Sequence, residues 1–251
     1  MTSLQALIFD VDGTMADTER DGHRVAFNRA FAEAGLDWEW SVKLYGKLLA
    51  ISGGKERLHF YLRQYRPEFE PSEGEEQFVV RLHQIKSRYY QQILSQEGIP
   101  LRPGIRRILQ EARSQEIRLA IATTASLPNV TPLVKFLAPD AVNWFEVIAA
   151  GDIVTAKKPA PDIYQYVLQE MKLAPQQCLV FEDSPHGLAA ARQADLTTVV
   201  TVNDYTKTGD FTGAALVVDH LGEPEHPCTI LAGDGGDRHY FNLALARHLI
   251  D

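Results

Sequence analysis

The chain has 251 residues, 45% of them apolar, enough for one large core or a core with a smaller lobe. A formal net charge of −8 leaves no broad basic face, which excludes nucleic acid and anionic membrane as general partners but admits a small anionic substrate. Apolar sequence begins by Leu4 and no run approaches the roughly 20 residues of a membrane span, and the two cysteines make no disulfide framework. These features place the protein in a reducing interior, the cytoplasm or an organelle stroma if a transit peptide was removed.

The first predicted strand, residues 4–11, runs into Asp10-Val11-Asp12-Gly13-Thr14, two carboxylates two positions apart followed by a glycine turn. Alone, the pair also fits a solvated turn at a strand end. Residues 18–99 differ in character. Phe27, Ala30, Phe31 and Ala34 fall at helical spacing, as do Phe78, Leu82, Ile85, Tyr89 and Ile93, which predicts an inserted α-helical lobe. The hinges are expected at residues 15–19 and 97–103. A helix over 105–114 then leads to a strand over 119–123 that ends in Thr123 and Thr124. Further on come a helix (130–137), a strand (147–150), the turn Lys157-Lys158-Pro159-Ala160-Pro161-Asp162 and a helix (162–171). A strand over 178–181 runs into Glu182-Asp183-Ser184-Pro185, where Ser184 and Pro185 explain the start of a helix over 185–193 but not the two acids before it. Strands over 197–202 and 216–218 complete the pattern.

Short, wholly apolar strands alternating with helices predict an α/β fold, a Rossmann-like doubly wound parallel sheet. Residues 1–17 and 100–251 would form a discontinuous core, and 18–99 the inserted domain. Each strand-end motif has an ordinary reading by itself: Thr123 as a β-branched terminus, Lys158 as a surface lysine, and Lys55 and Arg57 as solvated helix charges. His186 reads as a helix-start residue. His226 and Cys228 lack companion ligands at zinc spacing. Gly233-Asp234-Gly235-Gly236 reads as a flexible loop before a short amphipathic helix carrying Phe241, Leu245 and Leu249.

In order, Asp10-Val11-Asp12-Gly13-Thr14, Thr123, Lys158 and Glu182-Asp183 resemble the motifs of the haloacid dehalogenase superfamily of phosphotransferases. Ser52-Gly53-Gly54-Lys55-Glu56-Arg57, Thr123-Thr124-Ala125-Ser126-Leu127-Pro128-Asn129 and the Lys157–Asp162 turn look like CbbY-type sugar phosphatases, with β-phosphoglucomutases as the nearest other relatives. The resemblance extends to about residue 218. It implies a helical cap over the core, a monomer, and a Mg²⁺-dependent phosphatase acting on a small phosphorylated sugar, most of all xylulose 1,5-bisphosphate, a misfire inhibitor of carbon fixation. The alternatives are a phosphomutase with the same core motifs and a non-catalytic phosphate-ligand binding protein.

By the same resemblance, Asp10 is the nucleophile and Asp12 the general acid and base. Lys158, Thr123 and Thr124 hold the phosphoryl oxygens. Asp10, Asp183 and the Asp12 carbonyl bind the metal, with Glu182 either a direct ligand or one step behind it. Gly54, Lys55 and Arg57 would grip the substrate's non-reacting end, where the glycine turn opens a helix, and Glu19 and His23 its hydroxyls. Arg20-Asp21-Gly22 carries one residue more than the usual CbbY-type pattern, which leaves the register of His23 open. The tail from Gly222 lies outside the resemblance and could pack on the core or on another subunit.

Overall fold

A computed structural model of the chain describes residues 3–51, 53–151, 153–236 and 238–250; Ser52 of the glycine-turn motif lies outside them. The first strand, β1 (Ala6–Phe9), is buried along its whole length, as an apolar run covered on both faces must be. Helical sequence follows. A π-turn, Thr18–His23, runs into α1 (Arg24–Glu33), then α2 (Val42–Leu48), α3 (Gly54–Tyr65) and α4 (Glu75–Gln92), which ends in a second π-turn, Ile93–Glu97. Then come α5 (Ile105–Ser114), β2 (Arg118–Thr123), α6 (Leu127–Lys135), β3 (Val147–Ala150), α7 (Asp162–Met171), β4 (Cys178–Glu182) and α8 (Pro185–Gln193). β5 (Thr197–Thr201), β6 (Leu216–Val218), β7 (Ile230–Gly233) and α9 (Leu243–Ile250) end the chain.

Among the described residues the sheet has seven strands in the order β3-β2-β1-β4-β5-β6-β7. All neighbours pair in parallel except β6 and β7. The chain thus moves outward from β1 on one side, then returns to β4 and moves outward on the other. That reversal makes a topological switch point between β1 and β4, where an open α/β sheet leaves a crevice at its carboxyl ends. Ile8, Ala120, Ala149 and Val180 on the strands pack with Ile163, Tyr164 and Val167 of α7 and Ala190 and Ala191 of α8 in one buried cluster.

Backbone contacts divide the chain into two compact units, Met1–Asp17 with Pro100–Asp251, and Thr18–Ile99. The helical unit is centred on aromatics: Phe27 and Phe31 of α1 meet Trp40 at 4.5 and 5.0 Å between ring centroids, and Tyr61 of α3 lies 5.2 Å from the same indole. A π-turn takes in one residue more than an α-turn, and the chain winds this way from Thr18 to His23 as it enters α1. Gly22 makes that winding fit. A Cβ there would lie 2.7 Å from Ile99 and 2.8 Å from Tyr90.

Two expectations needed correction. Helix α6 starts at Leu127 rather than 130, because Ser126 breaks the helical backbone and Pro128 is acceptable in a first turn. Gly233, assigned to a flexible loop, instead closes the antiparallel edge strand β7. Its φ of +86° and a virtual Cβ 2.3 Å from the Ala215 carbonyl show why only glycine allows the strands to approach there. The tail packs on the core: Phe241 is buried edge-on against Phe181 at 5.1 Å, and the Leu243 N–H donates to Glu111 at 3.1 Å. No helix among the described residues is long and apolar enough to cross a membrane.

Candidate active site

The end of β1 delivers Asp10 into the switch-point crevice, and its N–H still donates to the Phe181 carbonyl at 3.0 Å as the ladder continues. One carboxylate oxygen accepts from Lys158 Nζ at 2.7 Å and the other from the Thr14 hydroxyl at 3.1 Å. Lys158 uses its remaining donors on Glu182 at 2.6 Å and the Ala122 carbonyl at 2.9 Å, so one ammonium ties together the ends of β1, β2 and β4. Tyr164, on α7, donates to the same Glu182 oxygen at 2.5 Å.

Asp10, Glu182 and Asp183 are all buried, and one oxygen from each lies within 4.8 Å of the others. Burial pushes the Asp10 carboxyl up to about 7; Glu182 and Asp12 add to this, while Lys158 opposes it. Burial also drives Asp183 well above the carboxylate range, with Asp10 and Glu182 adding to it and Asn203 opposing. Lys158 goes the other way. Burial disfavours its charge, but Asp10 and Glu182 outweigh that and hold it well above the usual lysine value. Three crowded carboxylates against one ammonium leave an excess of negative charge that a divalent cation would relieve. Their hard oxygen donors suit Mg²⁺.

Two glycines permit the crowding. Gly13 has φ +86°, and a Cβ there would lie 2.2 Å from Asp183 Oδ2. At Gly187, on the first turn of α8, a Cβ would lie 1.9 Å from Glu182 Oε2. Ser184 caps that helix by accepting from the Gly187 N–H at 3.0 Å, so both acids stand just before a helix N-terminus, where negative charge is favoured. Thr123 is buried at the end of β2, and its oxygen accepts from the Ala125 N–H at 3.1 Å. Its own hydroxyl hydrogen is therefore what it can offer a ligand. Thr124 beside it is exposed, and Asp12 is half-buried on the loop after Asp10.

The structure thus brings Asp10, Lys158, Glu182 and Asp183 into one cluster at the strand ends. Sequence reasoning missed Tyr164, Gly187, Asn203 and Arg102. Asn203 donates to Asp183 Oδ2 at 2.7 Å. Buried Arg102 donates to the carbonyls of Gly13, Thr201, Val202 and Asp219, fastening the catalytic-motif loop to the ends of β5 and β6. Asn203 was the most accessible of the four, since it follows a strand's carboxyl end as the other motifs do.

In the helical unit the candidates separate. Lys55 is exposed on the first turn of α3. Gly54 packs so closely that a Cβ would lie 2.7 Å from His83 Nε2. Arg57 is not the solvated cation that a helix surface suggests. It is buried, with Nε on the Leu48 carbonyl at 3.1 Å, Nη1 on the Tyr45 hydroxyl at 2.9 Å and Nη2 on the Ile51 carbonyl at 3.3 Å. Tyr45 in turn donates to Glu19 at 2.6 Å. His23 stacks on Tyr90 with centroids 3.8 Å apart, and its Nδ1 lies 2.8 Å from Lys86 Nζ. An ammonium only donates, so Nδ1 accepts and the ring proton sits on Nε2. Burial first, then Lys86 and Arg57, push His23 well below its ordinary range, which keeps the ring neutral.

A family model for haloacid dehalogenase-like hydrolases matches residues 4–195. Protein CbbY (plasmid) of Cupriavidus necator is 46% identical over 225 residues, covering 89% of this chain and 88% of its own. A crystal structure of a mutant CbbY from Rhodobacter sphaeroides in complex with xylulose 1,5-bisphosphate is similar with a TM-score of 0.71 and 41% identity, covering 88% of this chain and 96% of that one. A putative β-phosphoglucomutase structure from Thermotoga maritima follows at TM-score 0.68 and 28% identity, covering 86% and 94%. Both the sheet order and the similarity across nearly nine-tenths of the sequence lead to one assignment: the chain belongs to the haloacid dehalogenase-like hydrolases, among the CbbY-type phosphatases.

Proposed function

We propose that the protein hydrolyses sugar phosphates through an aspartyl-phosphate on Asp10, with Mg²⁺ as cofactor and xylulose 1,5-bisphosphate as substrate. The observation that carries the chemistry is the Asp10 carboxylate, oriented by Lys158 and Thr14 beside two further buried carboxylates at the switch point. The substrate rests on likeness to CbbY proteins, one of which was crystallised in complex with that bisphosphate.

Asp10, Asp183 and the Asp12 carbonyl, with Glu182, would hold the cation. When bound, it supplies the positive charge that offsets repulsion between a carboxylate nucleophile and phosphate oxygens. The Asp10 oxygen attacks phosphorus and the ester P–O bond breaks, while Asp12 gives its proton to the departing alkoxide. Water then attacks the phosphoryl group, Asp12 takes a proton from it, and phosphate leaves with the Asp10 carboxylate restored. Lys158, the Thr123 hydroxyl and the Thr124 N–H stabilise charge on the transferring oxygens. In the helical unit, Lys55 with the Gly54 turn grips the second phosphate, and Glu19 and His23 bind sugar hydroxyls. Arg57 holds that turn in place.

The test gives the purified protein Mg²⁺ and xylulose 1,5-bisphosphate and follows inorganic phosphate and sugar phosphates together. Mg²⁺-dependent phosphate release is expected; isomerised sugar phosphate without phosphate release would make the enzyme a mutase. Lys55→Ala should lower kcat/KM on the bisphosphate by roughly 10- to 100-fold, the loss of one charge-assisted contact. Turnover of a small aryl phosphate should be unaffected. Equal loss on both substrates would remove the grip assigned to Lys55.

A further inference from the structure

Asn203 belongs to none of the four motifs, yet it touches two of the loops that carry them. Its Oδ1 accepts from the backbone N–H groups of Tyr205 at 2.9 Å and Thr206 at 3.2 Å. Backbone N–H groups can only donate, so the amide has one orientation and Nδ2 must face the other way. There it donates to Asp183 Oδ2 at 2.7 Å and lies 3.4 Å from the Gly13 carbonyl. The approach is close enough that a Cβ on Gly13 would lie 2.7 Å from Nδ2.

The backbone of Asn203 is fastened on both sides. Its N–H donates to the Thr206 hydroxyl at 3.0 Å, and the two preceding carbonyls, of Thr201 and Val202, accept from Arg102 at 2.9 and 2.5 Å. Arg102 also donates to the Gly13 carbonyl. The amide is therefore a fixed donor on a fixed support, the condition under which an outer hydrogen bond sets the direction of a metal-binding carboxylate.

We propose that Asn203 is a positioning residue for the cation site: its amide holds one oxygen of Asp183 and leaves the other for the cluster with Asp10 and Glu182. This rests on the reading of that cluster as a divalent-cation site. Unpinned, the Asp183 carboxylate would rotate among its crowded neighbours, and binding a cation would require ordering it first. The cost should appear in metal affinity, which falls about 10- to 100-fold when such outer partners are removed.

The test titrates the metal-free protein with Mn²⁺ alone and follows free Mn²⁺ by electron paramagnetic resonance, so that no substrate or turnover enters. Asn203→Ala should raise the Mn²⁺ dissociation constant about 10- to 100-fold. Asn203→Ser keeps an acceptor for the turn but cannot reach Asp183; it should show the same loss, and it serves if the alanine variant fails to fold. Thr206→Val removes the hydroxyl that accepts from the Asn203 N–H but leaves the amide, both its backbone donors and its bond to Asp183 in place, so its loss of affinity should be clearly smaller than that of either Asn203 variant. Unchanged affinity in both Asn203 variants would overturn the inference, and so would an equal loss in Thr206→Val. Absence of Mn²⁺ binding by the wild type would instead remove the cation reading itself.

Discussion

Asp10 and Asp12 stand two positions apart but serve different steps of the proposed chemistry, so their amides should fail differently. Asp10→Asn removes the nucleophile: no phosphoenzyme should form when the substrate is labelled and the reaction quenched with acid. Asp12→Asn leaves the nucleophile in place and removes the proton relay. Turnover should then fall by roughly the 10²- to 10⁴-fold of general acid–base catalysis, while substrate still binds. Near-normal turnover in Asp10→Asn would rule out the covalent route. The difference between the two residues has a structural basis: Asp10 is buried and held by Lys158 and Thr14, whereas Asp12 is half-buried on the turn beyond.

At the scale of the element, α4 carries a lysine inside the helical unit. Lys86 is buried against the rings of Phe27 and Tyr90 and donates to His23. Burial pushes its ammonium down from 10.5 to about 8; Glu19 opposes the shift and Arg57 adds to it. Between these two values the unfolded chain keeps a proton that the folded chain has released, so Lys86 adds stability as pH rises through that window and withholds it below 8. Lys86→Met should remove this dependence. From denaturant melts, the stability difference between variant and wild type should favour the variant by about 3 kcal/mol more at pH 7 than above the window, at 1.36 kcal/mol per unit. A difference that does not change with pH would mean that Lys86 keeps an ordinary proton affinity in the fold. A buried ammonium that costs stability at neutral pH is consistent with the functional reading of His23, whose Nδ1 it occupies.

At the scale of the whole molecule, the segment after residue 195 lies beyond the family match yet underlies the site. Phe241 packs on Phe181, which stacks on Phe9 at 4.5 Å, and these two rings immediately precede Glu182 and Asp10. Phe241→Ala should cost about 3–5 kcal/mol of stability, the range for truncating a buried phenylalanine, read from denaturant unfolding. A loss below about 1 kcal/mol would show that the tail contributes little to the core, since fully burying a phenylalanine contributes about 1.5–3 kcal/mol. Arg102 makes a second connection. By donating to the carbonyls of Asp219 and Gly13 it joins the end of β6, three residues before the tail, to the loop that carries Asp12.

The sequence by itself determined the doubly wound sheet, the helical insertion and the four strand-end motifs. Short continuous apolar runs, the helical period of 3.6 residues and the order of motifs along the chain are local properties of the sequence. Only the tertiary structure decided which groups outside those motifs complete the site. Asn203 meets Asp183 across 20 positions, and Arg102 meets Val202 across 100, because crossover connections bring distant strand ends together. Arg57 shows the same limit from the other side. Its place near the start of a helix reads as solvent-facing, but the backbone carbonyls of Leu48 and Ile51 turn inward and hold it. Strand β7 escaped notice because a short, exposed edge strand has no hydrophobic alternation to reveal it, and only its pairing with β6 makes it a strand.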